Sequence, residues 1–138
     1  DLQLLPELME KTAAVLAQAP DTAVALCHAG SPHDRSAAGL KAWAQALASL
    51  SALPNVTCKL SGLGMFDHGW TAEAIRPIVE TCLSQFTPAR CMFGSNFPVD
   101  SLSSDYATLV AAYEALLPDA EKQAVFGSAA ARFYGLDC

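Results

Sequence analysis

Polar residues able to do chemistry stand at three points of an otherwise apolar chain. His28 closes the run TAVALCH, Lys59 and Ser61 close VTCKLS, and Asn96 follows RCMFGS, with Asp100 four residues on. An imidazole can serve as general acid, general base or metal ligand. An ammonium can polarise a carbonyl or hold a carboxylate, and a carboxylate can take a proton from water. Arg35, in a loop with His33 and Asp34, and His68, beside Asp67 in a Gly-rich loop, are candidate substrate contacts. Each of these residues has a plainer reading. A lone strand-end histidine is more often a hydrogen-bonded structural group, and Lys59 reads equally as a rim lysine. His33 reads as a solvated loop residue, and adjacent residues such as Asp67 and His68 seldom face one another. Asp100 reads equally as the cap of the helix that follows it. The chain has no GxSxG elbow, Walker loop or GxGxxG turn.

The elements that must position these residues alternate. Helical spacing runs over Leu4–Ala19 and again over Ser36–Leu53, where Leu40, Trp43, Leu47 and Leu50 share a face. Thr71 caps a third helix with Ile75, Ile78, Val79, Cys82 and Phe86 on one side, and Pro77 is expected to shorten or kink it. Helices over Ser103–Leu117 and Ala120–Tyr134 end the chain. Between them, Thr22–His28, Val56–Ser61 and Arg90–Ser95 read as short buried strands, and Gly62–Trp70 as a loop. Strand–helix alternation with short connections predicts parallel βαβ units, adjacent in chain order. In such sheets sites form at the carboxyl ends of the strands. With a side-chain period of two, Thr57, Lys59 and Ser61 share one face, as do Met92, Gly94 and Asn96. His28, Lys59, Ser61 and Asn96 are therefore expected to open on one common end. Three parallel strands are few, and the pattern fits either a small open α/β domain or part of a (β/α)8 barrel.

Composition removes whole classes of function. Net charge is −6, and the eight Lys and Arg are scattered singly, which argues against nucleic acid and anionic membranes as partners. The longest uncharged apolar runs fall short of the ~20 residues that span a bilayer. Asp1 and Glu7 stand where a signal peptide would be basic. The five cysteines (Cys27, Cys58, Cys82, Cys91, Cys138) show no CxxC spacing, and read as reduced packing thiols of a cytoplasmic protein. The 52% apolar content supports a real core in one domain, residues 1–138.

Four blocks in order, HAGSPHDRSAAGLKAW (His28–Trp43), LPNVTCKLSGLGM (Leu53–Met65), WTAEAIRPIVE (Trp70–Glu80) and RCMFGSNFPVDSL (Arg90–Leu102), with the tail FGSAAARFYGL (Phe126–Leu136), resemble the amidohydrolase-2 type of TIM-barrel hydrolase, in particular its sugar-lactonase-like branch. The resemblance implies an α/β chain that forms the C-terminal part, about strands six to eight with their helices, of a (β/α)8 barrel of ~250 residues. It implies that the first five strands, with the family's HxH, lie outside this sequence. By the same match His28 falls on a sixth-strand histidine at or near a metal, and Lys59 and Ser61 fall on seventh-strand positions that reach substrate. Asn96 falls where the family most often has the Asp of GSDWP. An amide cannot act as general base, which leaves Asp100, His28 or a residue outside this chain for that role.

The resemblance implies a hydrolase acting on a small-molecule substrate, with water attack on a lactone or related cyclic ester. His28, Asn96 and Asp100 would be catalytic, and Lys59, Ser61, Arg35 and His68 would bind substrate. A divalent metal, zinc first, or none, would sit near His28, with further ligands from outside the chain. The alternatives are a decarboxylase on the same scaffold and a truncated, non-catalytic product or interaction module. By itself the chain is expected to be catalytically silent and marginally stable, its open sheet edges covered by the other half of a barrel or by self-association.

Overall fold

The computed structural model describes residues 1–136. Three strands, β1 (Val24–Leu26), β2 (Val56–Leu60) and β3 (Cys91–Phe93), form a parallel sheet in the order β1-β2-β3. Val24 pairs with Val56 and Cys58 with Cys91, as strand–helix alternation predicts. The helices are α1 (Met9–Leu16), α2 (Ala37–Ser51), α3 (Ala72–Phe86), α4 (Tyr106–Leu116), α5 (Asp119–Gln123) and α6 (Ala129–Tyr134). At the β1 edge Leu2 makes a further parallel bridge to Leu26, with Leu2 N donating to Ala25 O and Cys27 N donating to Leu2 O, each at 2.8 Å.

The long helices begin where side-chain oxygens satisfy free amides. Ser36 Oγ accepts from Gly39 N at 3.0 Å and Thr71 Oγ1 accepts from Ala74 N at 3.2 Å. Helix α3 continues through Pro77 to Phe86, so the expected shortening does not occur. Its buried face of Ile75, Ile78, Val79, Cys82 and Phe86 outweighs the ~3 kcal/mol that an interior proline costs.

Alternate residues of the strands face opposite ways. Val24, Leu26, Val56, Cys58, Leu60 and Cys91 are buried in the main core, together with α2, α3 and α4. We call this the outer face. Arg90 secures one end of it, donating from Nη1 to the carbonyls of Leu53 and Val56 and from Nη2 to that of Ser51, all at 2.9 Å. The inner face carries Ala25, Thr57, Lys59 and Met92. It is covered rather than open, because Ala129 of α6 packs against Ala25 and Met92. Cys58, Cys82 and Cys91 are buried free thiols and Cys27 is a partly buried one, and desolvation helps push the Cys58 and Cys91 thiols up in pKa. Cys138 lies outside the described residues.

Several boundaries differ from the sequence reading. The first strand stops at Leu26 because the chain turns left-handed at His28 and Ala29. The first helix opens as a 3-10 turn (Pro6–Leu8), and another 3-10 turn (Leu63–Phe66) occupies the predicted loop. The helix expected from Ser103 starts at Tyr106 after a 3-10 turn (Val99–Leu102). Asp105 caps that helix, accepting from Thr108 N at 2.8 Å, so capping does not explain Asp100. The last predicted helix is divided by a π-helical turn over Ala124–Ser128.

Candidate active site

At the carboxyl ends of the three strands lies a cleft of about 370 Å³, lined by His28, Lys59, Ser61 and Asn96 together with Asp1, Cys27, Met92, Phe93, Gly94, Ala130 and Tyr134. The four residues expected to share one end do so.

His28 reaches the cleft through a strained turn. Its φ is 56°, followed by 51° at Ala29 and 54° at Ser31, a left-handed run that costs non-glycine residues on the order of 1–3 kcal/mol each. The turn is held by Trp43 of α2, whose Nε1 donates to Ala29 O at 2.8 Å. The imidazole Nδ1 lies 3.0 Å from Ser61 Oγ, which fixes the ring and leaves Nε2 without a protein partner among the described residues. Gly62 makes this approach possible, since a Cβ there would stand 2.5 Å from His28 Nδ1, and its φ of 62° suits glycine. Partial burial lowers the His28 pKa, with the Lys59 charge adding to the effect. A hydrogen bond with the Ser61 backbone and the Asp100 carboxylate oppose it. The net direction favours a neutral imidazole, able to accept a proton.

Lys59 extends from β2 along the inner face. Its Nζ pairs with Asp1 Oδ2 at 2.7 Å and sits 5.5 Å from the centroid of the Tyr134 ring, whose hydroxyl donates to Asp1 Oδ1 at 3.3 Å. Asp1 and Tyr134 were not legible as site residues. The signal for Asp1 is its place beside Leu2, which lies on the sheet, and no local pattern marks Tyr134.

Asn96 also has a left-handed backbone, with φ 56°. Its Nδ2 donates to Asp100 Oδ1 at 2.8 Å. Asp100 is only 2% exposed and does not line the cleft, and its own N–H donates to Asn96 O at 3.1 Å. The carboxylate engages the amide nitrogen, which leaves the side-chain oxygen Oδ1 of Asn96 as its free acceptor among the described residues. Arg35 and His68 are not brought to the cleft. Arg35 donates to Pro32 O (2.7 Å) and Leu63 O (2.8 Å), tying the loop after β1 to the loop after β2, and desolvation lowers its pKa. His68 is exposed, and the Asp67 carboxylate accepts from Gly69 N at 3.0 Å.

The cleft thus holds the His28 imidazole, the Lys59 ammonium paired with the Asp1 carboxylate, the Ser61 and Tyr134 hydroxyls and the Asn96 amide. A zinc site with an open position takes three protein ligands, commonly histidine or carboxylate. Among the described residues no group of three or more His, Cys, Asp and Glu stands close enough to hold an ion. The donors of this chain do not by themselves fit a metal, although His28 Nε2 could supply one ligand. Among the described residues no helix is long and apolar enough to cross a membrane.

Known proteins resemble the chain over nearly its whole length. It is 42% identical over 125 residues to an L-fucono-1,5-lactonase of Burkholderia multivorans, covering 80% of this chain and 42% of that protein. It is 39% identical over 137 residues to an uncharacterised protein of Sinorhizobium fredii, 97% of this chain and 46% of that one. A crystal structure of an amidohydrolase from Burkholderia multivorans with zinc bound superposes with a TM-score of 0.91 at 33% identity, over 99% of this chain and 52% of that one. The chain therefore spans about half the length of the relatives it matches. Residues 1–136 match the amidohydrolase family, and the chain belongs to it.

Proposed function

We propose that this chain forms the sixth to eighth strands, the C-terminal part, of an amidohydrolase barrel that opens a sugar lactone or related cyclic ester by water attack. The observation that carries this reading is the convergence of His28, Lys59, Ser61 and Asn96 on one cleft at the strand ends. The 42% identity to an L-fucono-1,5-lactonase supports the substrate class.

In this reading water adds to the lactone carbonyl carbon, and the ring C–O bond then breaks to give a hydroxy acid. His28 Nε2 takes the proton from the attacking water and returns it to the departing ring oxygen, while Ser61 holds the ring in place through Nδ1. The Lys59 ammonium faces the charge that develops on the carbonyl oxygen. The Asn96 carbonyl oxygen accepts a hydrogen bond from the water or from a sugar hydroxyl. Asp100 acts through Asn96 and is a positioning residue. His28 is preferred to Asp100 as the base because His28 lines the cleft and Asp100 lies behind it.

The test joins the first half of the Burkholderia multivorans lactonase to residues 1–138 and follows acid release from a panel of sugar lactones. The chimera should turn over a 1,5-lactone, His28→Ala should lower its rate by at least ~10²-fold, and the 138-residue chain should stay at background. A folded chimera that releases carbon dioxide from a carboxylated substrate and opens no lactone would replace this reading with decarboxylation.

A further inference from the structure

The two loops that carry His28 and Ser61 are tied together by one guanidinium that does not line the cleft. Arg35 stands just before the start of α2, where Asp34 Oδ1 accepts from Ser36 N at 2.9 Å and Ser36 Oγ accepts from Gly39 N at 3.0 Å. From that fixed base its Nε donates to Pro32 O and its Nη2 to Leu63 O. Pro32 follows the left-handed run over residues 28–31, and Leu63 follows Ser61 and the left-handed Gly62. Both acceptors belong to buried residues. Among the described residues, two side-chain hydrogen bonds join the loop after β1 to the loop after β2. One is Arg35 to Leu63, and the other is the His28–Ser61 contact itself.

The spacing of these loops decides what the imidazole meets. A Cβ at Gly62 would stand 2.5 Å from His28 Nδ1, so the second loop already lies against the ring through its backbone. His28, Ala29 and Ser31 hold left-handed backbones without being glycine, and such conformations persist only where the surroundings over-determine them. Trp43 holds the run at Ala29 O, and Arg35 holds its far end at Pro32 O. A guanidinium suits this task, because its planar fork fixes two acceptors at a set separation. An ammonium is one point charge on a flexible stem and sets no such separation.

We propose that Arg35 is a positioning residue for the site: by holding Pro32 O and Leu63 O at a fixed separation, it keeps the His28 ring on Ser61 and leaves Nε2 for the substrate. It acts through His28 and touches no substrate itself. Its effect on turnover rests on His28 being the base of the proposed reaction. The clamp on the ring is independent of any reaction and is visible without turnover.

Proton NMR of the 138-residue chain tests the clamp. The native chain should show a strong Overhauser contact between His28 Hε1 and the Ser61 Hβ protons. Arg35→Lys and Arg35→Gln should weaken that contact several-fold while circular dichroism stays unchanged. The His28 titration should also move up toward its ordinary value as the ring gains water. In the lactonase chimera either change should lower kcat ~10-fold or more and leave KM within about twofold, as expected for a displaced catalytic group. Should Arg35→Gln fail to fold, Arg35→Lys, which keeps the charge, decides the matter. Loss of the contact, together with an unsubstituted chimera that opens no lactone, would support the clamp and overturn the reaction instead. Absence of the contact in the native chain, or its survival in folded Arg35→Lys, would overturn the proposal. So would a raised KM with kcat unchanged, the mark of a substrate contact.

Discussion

The two faces of the sheet are made from alternate residues of the same strands, yet they are built to different standards. The outer face is fully buried under helices of 15, 15 and 11 residues, with Leu47, Leu50, Ile78, Val79 and Phe86 at 0% exposure among its neighbours. The inner face meets the six-residue helix α6 and carries Lys59 beside Ala25, Thr57 and Met92. Burial on the outer side stabilises the fold, and the inner side gives up packing for a charge at the cleft.

The sharpest way to break this comparison is to truncate both faces equally. Leu60→Ala on the outer face should cost about 2–5 kcal/mol in denaturant unfolding, because its cavity sits in a close-packed layer. Met92→Ala on the inner face removes a side chain of similar size, and α6 can settle toward the gap. It should cost no more than about 2 kcal/mol, the low end of that range. Equal losses would mean that α6 is as firmly packed as α2 and α3.

Asp100 comes next in size. Asp100→Ala removes the acceptor of Asn96 Nδ2 in a buried place, which should cost roughly 1–3 kcal/mol. Asp100→Asn keeps an acceptor oxygen and should recover most of that stability and, in the chimera, most of the rate, with kcat affected more than KM. If Asp100→Asn abolished turnover and removed the acidic limb of the pH–rate profile, the carboxylate would be the base and His28 would not.

The parts of the molecule written in local pattern were legible from sequence, and those made by distant contacts were not. Period two put Lys59 and Ser61 on one face of β2, and the rule that parallel sheets open at their carboxyl ends put His28 and Asn96 beside them. The shortness of β1 was hidden, because the left-handed turn at His28 depends on Trp43 from α2 and on the space left by Gly62. Asp100 resembled a helix cap by position, and only the fold shows that Asp105 takes that task while Asp100 accepts from Asn96. Arg35 resembled a substrate contact by charge, but carbonyls 3 and 28 residues away occupy its guanidinium. The placement of α6 has no local signature, since its apolar face would suit either side of the sheet.

Lys59→Met should matter less for stability than any change above. Its ion pair with Asp1 joins a largely screened ammonium to a carboxylate whose side chain is 53% exposed, and pairs of that kind contribute ~0–1 kcal/mol. The unfolding midpoint should shift little, whereas chimera turnover should fall. A large loss of stability would show that Lys59 supports the inner face rather than the reaction.

The smallest effect expected is a pH slope belonging to His28. Its folded pKa lies below the ordinary 6.5, chiefly through burial, so between the folded value and 6.5 the unfolded chain binds a proton that the folded chain refuses. Unfolding then takes up protons, and stability rises with pH across that window. The contribution is fully present above 6.5 and is lost as pH falls through the folded value. Urea unfolding from pH 5 to pH 8 should show this slope in the native chain, and His28→Gln, which cannot titrate, should flatten it. A slope of opposite sign, with stability increasing as pH falls through the same window, would mean that the folded chain holds His28 protonated. The cleft would then be a cationic pocket for an anion, with Lys59 beside it, and a general base for water would have to come from elsewhere.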